Sequence, residues 1–176
     1  MAEAQPNILF TREAIRRRVD ELAGQISRDY AGKELLVVGI LNGAFVFMAD
    51  LIRGLNVPCR VDFVRLASYG CGSVSSGEVR ITKDLETSLA GREVLIVEDI
   101  VDTGLTLSRL VGVLRERRPA SLKVCAFLDK QERRRVPFTA DYVGFSIPDR
   151  FVVGYGLDYD EQYRFLPDVC VLDQVR

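Results

Sequence analysis

Two adjacent carboxylates, Glu98 and Asp99, are followed by a third, Asp102, and then by Thr103-Gly104-Leu105-Thr106. Carboxylates accept hydrogen bonds from neighbouring hydroxyls, or hold a hard cation such as magnesium through oxygen. Small and hydroxylated residues opening a helix present free N–H groups and a positive dipole end, which suits a phosphate. Together these residues offer what a sugar phosphate needs. The chain contains no histidine, which removes Ser-His and Cys-His nucleophiles and histidine-bound zinc. Proton transfer then falls to Asp, Glu, Lys, Tyr or water, and Asp102 leads those candidates. Asp102 is equally suited to be the N-cap of the following helix. Glu98 and Asp99 read either as solvated loop acids or as ligands, because charge beside a buried strand is costly without a partner.

These residues need a scaffold that places them at one edge. The apolar run Val94-Leu95-Ile96-Val97 leads straight into the acids. Such a run reads as a strand buried on both faces, as in a parallel sheet. A helix is expected from near Leu105, with Leu105, Leu107, Leu110, Val111 and Leu114 inward. Upstream, residues 11–29 form an amphipathic helix capped by Thr11, with Ile15, Val19, Leu22, Ala23 and Ile26 on one face. Residues 35–40 make a strand, Leu41-Asn42-Gly43-Ala44 a turn, and a helix follows that stops before Pro58. Residues 60–67 make another strand, completing a βαβ unit. Further strands are expected at 122–128, 142–145, 151–155 and 169–172. The sum is one domain over residues 1–176, an α/β fold. It is a doubly wound, mainly parallel sheet flanked by helices, with a small accessory lobe built from the two ends. The Gly/Ser-rich residues 68–77, opening with Ser68-Tyr69, read as a surface hairpin loop or as a flexible lid over the site.

Composition limits the function classes. The formal net charge is −1, so bulk attraction to nucleic acid or an acidic membrane is absent. No apolar run reaches membrane-spanning length, and residues 1–10 lack a signal core, so the protein is expected in the cytoplasm. The cysteines Cys59, Cys125 and Cys170 sit in or beside apolar strands and read as buried reduced thiols, whereas Cys71 lies in the Gly/Ser loop. The cluster Arg133-Arg134-Arg135 reads as a solvated loop.

The fourteen residues 94–107 closely resemble the phosphoribosyl diphosphate (PRPP) signature of type I phosphoribosyltransferases. Other segments narrow the resemblance to the hypoxanthine (6-oxopurine) branch. Leu41-Asn42-Gly43-Ala44 is similar to its pyrophosphate loop and Ser68-Tyr69 to the start of its catalytic loop. Phe127-Leu128-Asp129-Lys130 and residues 147–159 are similar to its purine-binding region. The resemblance implies transfer of phosphoribose from PRPP to hypoxanthine and guanine, giving IMP or GMP and pyrophosphate, with Mg2+ as cofactor. Glu98 and Asp99 would bind the ribose hydroxyls. Residues Asp102, Thr103, Gly104, Leu105 and Thr106 would hold the 5′-phosphate, and Asn42, Gly43 and Arg164 the pyrophosphate. Asp102 would also manage the proton at purine N7. Lys130 would donate to the 6-oxo group, Phe151 would stack on the base, and the Val152 backbone would bond its edge. Glu98, Asp99 and Asp158 would serve magnesium.

Some relatives carry a basic residue where Asn42 stands and lysine where Leu105 stands, which leaves both anion pockets leaning on backbone N–H groups. The peptide before Asn42 can be cis in the family, and a homodimer or homotetramer is implied. Two other readings remain: a PRPP-sensing regulator of the same fold, and a xanthine-preferring enzyme. A dinucleotide-dependent oxidoreductase falls behind, because no Gly-x-Gly-x-x-Gly follows the first strand.

Overall fold

A computed structural model describes residues 7–68 and 79–172. A short strand, β1 (Asn7–Phe10), leads into α1 (Arg12–Asp29). The Thr11 hydroxyl accepts from the Ala14 N–H, and Ile15, Val19, Leu22, Ala23 and Ile26 are buried as the periodicity requires. Then come β2 (Leu35–Leu41), α2 (Phe45–Gly54), β3 (Cys59–Ser68), β4 (Val79–Lys83) and β5 (Glu93–Val101). The chain continues through α3 (Leu105–Glu116), β6 (Ser121–Asp129), a 3-10 turn (Gln131–Arg133), β7 (Tyr142–Ser146), β8 (Val152–Val153) and β9 (Val169–Val171).

Six strands form the main sheet in the order β4-β3-β2-β5-β6-β7, parallel except where β4 runs against β3. Successive residues of β2 and β5 feed opposite cores. Leu35, Val37, Leu95 and Val97 pack with α1 and α2, while Leu36, Val38, Val94 and Ile96 pack with α3. Two-sided burial explains why these strands read as unbroken apolar runs. Each fully buried Leu or Ile contributes about 1.5–3 kcal/mol. Helices therefore cover both faces, as expected for a doubly wound sheet.

From β2 the chain moves outward to β3 and β4, then returns to β5 and moves the other way to β6 and β7. The reversal leaves a switch point between β2 and β5, where the loops after their carboxyl ends part and ligands bind in such sheets. The carboxyl ends of neighbouring strands are level. Val101 pairs with Asp129 and Asp129 with Ser146.

A three-stranded sheet, β1-β9-β8, forms the accessory lobe. Asn7 pairs with Val171 and Val152 with the same residue from the other side. The strand expected at 151–155 shrinks to two residues. Gly154, Tyr155 and Gly156 all have positive φ, so the extended chain cannot continue. The expected strand containing the acids instead lengthens: β5 continues its ladder with β6 through Glu98, Ile100 and Val101.

Ser68 pairs with Val79 across a β3–β4 hairpin. The lid expected there, with Tyr69 and Cys71, lies outside the described residues. Cys59, Cys125 and Cys170 are free thiols; the last two are buried and Cys59 is half-buried. Among the described residues no helix is long and apolar enough to cross a membrane.

Candidate active site

Glu98 and Asp99 sit half-buried near the carboxyl end of β5. Burial pushes the Glu98 carboxyl well above its usual range, and the Asp99 charge adds to this. Burial also raises Asp99, opposed by hydrogen bonding from Glu98 and the backbone and by the Arg164 charge. Their backbone contacts are few: Asp99 N–H donates to Glu98 Oε1 at 3.0 Å and Ile100 N–H to Asp99 Oδ1 at 2.7 Å. The β2 loop closes on this pair. A Cβ at residue 43 would lie 1.6 Å from Asp99 Oδ2, so any larger residue there would push the Asp99 carboxylate aside. The Leu41–Asn42 peptide is cis.

Past β5, residues 102–104 turn into α3. Asp102 is not the cap. Gly104 takes that position with φ of 78° and no side-chain cap bond, a conformation that glycine adopts without strain. A cavity of about 220 Å³ lies here, lined by Glu98, Asp102, Thr103, Gly104 and Thr106 among others. It combines the first turn of a helix with two threonines, which is the chemistry of a phosphate cradle. A larger groove, about 900 Å³, runs between α1, α2 and residues 164–167. It shares Arg164 with the site candidates, and its acids are Asp20 and Asp50 rather than Glu98, Asp99 or Asp102.

The remaining strands deliver the other candidates to the same edge. Lys130 follows β6, with its N–H bonded to Val101 O at 2.9 Å, and is only 8% exposed. Its ammonium lies 3.8 Å from Asp149 Oδ1. Phe151 is 40% exposed and packs edge-on against Tyr159 at 5.4 Å, so its face is not consumed by the core. Val152 is buried beside it. Arg164 donates to Gly156 O at 2.7 Å and pairs with Asp158 at 2.9 Å.

The three expected magnesium ligands do not make a cage of their own. Among the described residues no three acidic side chains gather closely enough, and Asp158 is engaged by Arg164 and by the Glu161 N–H. Oxygen donors from one or two carboxylates still suit magnesium, which keeps water and phosphate in its shell.

The expectation of a solvated arginine run holds for Arg133 and Arg135, which are exposed, and is corrected for Arg134. Arg134 is half-buried, pairs with Asp129 and donates to Asp102 O at 2.7 Å. Arg133 Nε lies 2.9 Å from Asp102 Oδ1. Asp102 Oδ1 is buried but accepts no aligned hydrogen bond. Nothing in the spacing of Arg133 and Arg134 marks these partners, which lie on other loops.

The phosphoribosyl transferase domain family matches residues 7–160. The chain belongs to this family. It is 49% identical to the hypoxanthine-guanine phosphoribosyltransferase of Aquifex aeolicus (strain VF5), over 94% of each chain. It is also 49% identical to the enzyme of that name from Bacillus subtilis (strain 168), over 94% of this chain and 92% of the relative. A crystal structure of a hypoxanthine-guanine phosphoribosyltransferase from Bacillus anthracis superimposes with a TM-score of 0.92 at 45% identity, covering 97% of this chain and 99% of the other. This phosphoribosyltransferase is therefore an enzyme whose fold is that of its purine-using relatives.

Proposed function

We propose that the enzyme transfers the phosphoribosyl group of PRPP to hypoxanthine and guanine, forming IMP or GMP and pyrophosphate in the cytoplasm. The observation that supports this reading is that the cavity at the start of α3, the Glu98–Asp99 pair and the buried Lys130 share one edge of the sheet, with Asp102 lining the cavity. Thr103, Gly104, Leu105 and Thr106 hold the 5′-phosphate. Glu98 and Asp99 accept hydrogen bonds from the ribose hydroxyls, which bring the protons that these raised carboxyls lack when ionised. Phe151 stacks on the base, the Val152 backbone bonds its edge, and Lys130 donates to the 6-oxo group, which an amino purine cannot accept.

N9 of the base attacks C1′ while the C1′–O bond to pyrophosphate breaks and its electron pair leaves with pyrophosphate. Asp102 takes the proton from N7. Asn42, Gly43 and Arg164 hold the departing pyrophosphate. Glu98, Asp99 and Asp158 are the residues that would serve magnesium, which when bound offsets the charge of pyrophosphate. Ser68 ends β3, and Tyr69 opens the segment, outside the described residues, that would shield PRPP from water. Assembly as a homodimer or homotetramer belongs to the same reading, and sedimentation measures it.

The test is a PRPP-dependent assay with hypoxanthine, guanine, xanthine and adenine. Nucleotide should form with the first two and not with adenine. Xanthine used best would replace the proposed acceptor, and no product from any base would favour a PRPP-sensing regulator.

A further inference from the structure

We propose that Arg133 is a positioning residue that sets the purine subsite, an inference that rests on the acceptor reading above. Its guanidinium spans two loops. Nε lies 2.9 Å from Asp102 Oδ1, in the turn after β5, and Nη1 lies 3.3 Å from Asp149 Oδ2, after β7. Asp149 in turn stands 3.8 Å from the Lys130 ammonium. One side chain thus ties the carboxylate that handles the N7 proton to the carboxylate that faces the base-selecting lysine. Lys130 caps the 3-10 turn Gln131–Arg133, and the Arg133 N–H donates to Lys130 O at 3.3 Å, so one turn carries both side chains. Arg134 on the same turn holds the Asp102 backbone, which leaves Arg133 to govern its side chain.

Isolated ion pairs between exposed groups contribute little to stability, and Arg133, Asp102 and Asp149 are each more than 40% exposed at the side chain. The value of this bridge lies in charge placement. With Arg133 present, two cations serve two carboxylates. Without it, Asp149 keeps Lys130 as its cation partner, and the ammonium is drawn toward Asp149 and away from the 6-oxo group of the base. Arg133 meets the phosphate cradle at the Asp102 carboxylate; among the described residues no hydrogen bond or ion pair joins it to Glu98, Asp99, Thr103 or Thr106, which keep their geometry.

Arg133→Ala should raise KM for hypoxanthine and guanine about tenfold, the loss expected when a charged hydrogen bond is misdirected. KM for PRPP should stay within about twofold, and the melting temperature should be unchanged. Arg133→Lys should recover part of the loss, since an ammonium can pair with one carboxylate but lacks the two-armed fork. In an Asp149→Asn background the effect of Arg133→Ala should shrink, because the two changes act through one contact. Unchanged base KM, equal shifts in base and PRPP KM, a large fall in melting temperature, or additivity with Asp149→Asn would each overturn the assignment. A wild-type enzyme that forms no nucleotide overturns the acceptor reading; a wild-type enzyme that does, beside an indistinguishable Arg133→Ala, overturns only this inference.

Discussion

Two sets of acids on the same sheet are treated in opposite ways. At the carboxyl edge, burial raises Glu98 and Asp99, and their few backbone contacts do not offset it. Elsewhere Asp62 is 6% exposed, and burial works against its ionisation too, yet its carboxyl is held below the usual range. Its two oxygens accept from the N–H groups of Phe63, Glu86 and Thr87. Glu93, at the amino end of β5, is likewise lowered by Lys33 and Ser121. A structural acid is fully answered by its own chain. The acids at the switch point are not, and that leaves them a free-energy incentive to take partners from outside.

The largest test of this contrast is Asp102→Asn. It should lower kcat about 10²–10⁴-fold, the usual contribution of a positioned acid or base, while PRPP binding by calorimetry stays close to wild type. Wild-type turnover would remove Asp102 from proton transfer. Next, Lys130→Ala should lower kcat/KM for hypoxanthine and guanine by about 1.5–3 kcal/mol, the worth of a charged hydrogen bond, with KM for PRPP little affected. Unchanged kinetics would take the lysine off the base.

On the structural side, Asp62→Ala strands three N–H groups and should cost about 1–3 kcal/mol of stability in chemical denaturation at neutral pH. An acid held below its ordinary value stabilises the fold above the unfolded value of 3.8 and loses that contribution as pH falls through its lower folded value. The deficit should therefore narrow in acid. The smallest effect has the opposite sign. Glu98 is held above its ordinary 4.5, so the folded chain keeps a proton that the unfolded chain releases, and stability drains away as pH rises from 4.5 toward the raised value. Glu98→Gln should remove that cost. At pH 7 the variant should melt above wild type, with little gain at pH 4, while activity falls. A stability loss at pH 7 would mean that Glu98 is answered from within, like Asp62.

Much of this site is visible as pattern. The run at 94–97 marks a strand buried on both faces, Thr11 marks the start of α1, and the small residues after Asp102 mark the helix that opens on the smaller cavity. Those signals are local: periodicity, caps and turn chemistry act over a few residues. What lies outside them depends on contacts between distant segments. Lys130 reads as an exposed lysine because its burial comes from strands on either side. Arg133 reads as loop because its partners are 31 and 16 residues away. The end of the strand at Val153 is decided by three positive φ angles in a row, one of them at Tyr155, which no propensity favours.

The pairing of β1 with β9 also bears on how the protein is made. The main sheet is complete once residue 146 has been synthesised, and domains tend to fold from the amino-terminal side as they emerge. Arg164 and the strand that ties residues 169–171 to residues 7–10 come last. A nascent chain thus carries residues 94–107 before it carries Arg164, the residue to which the proposed function gives the pyrophosphate.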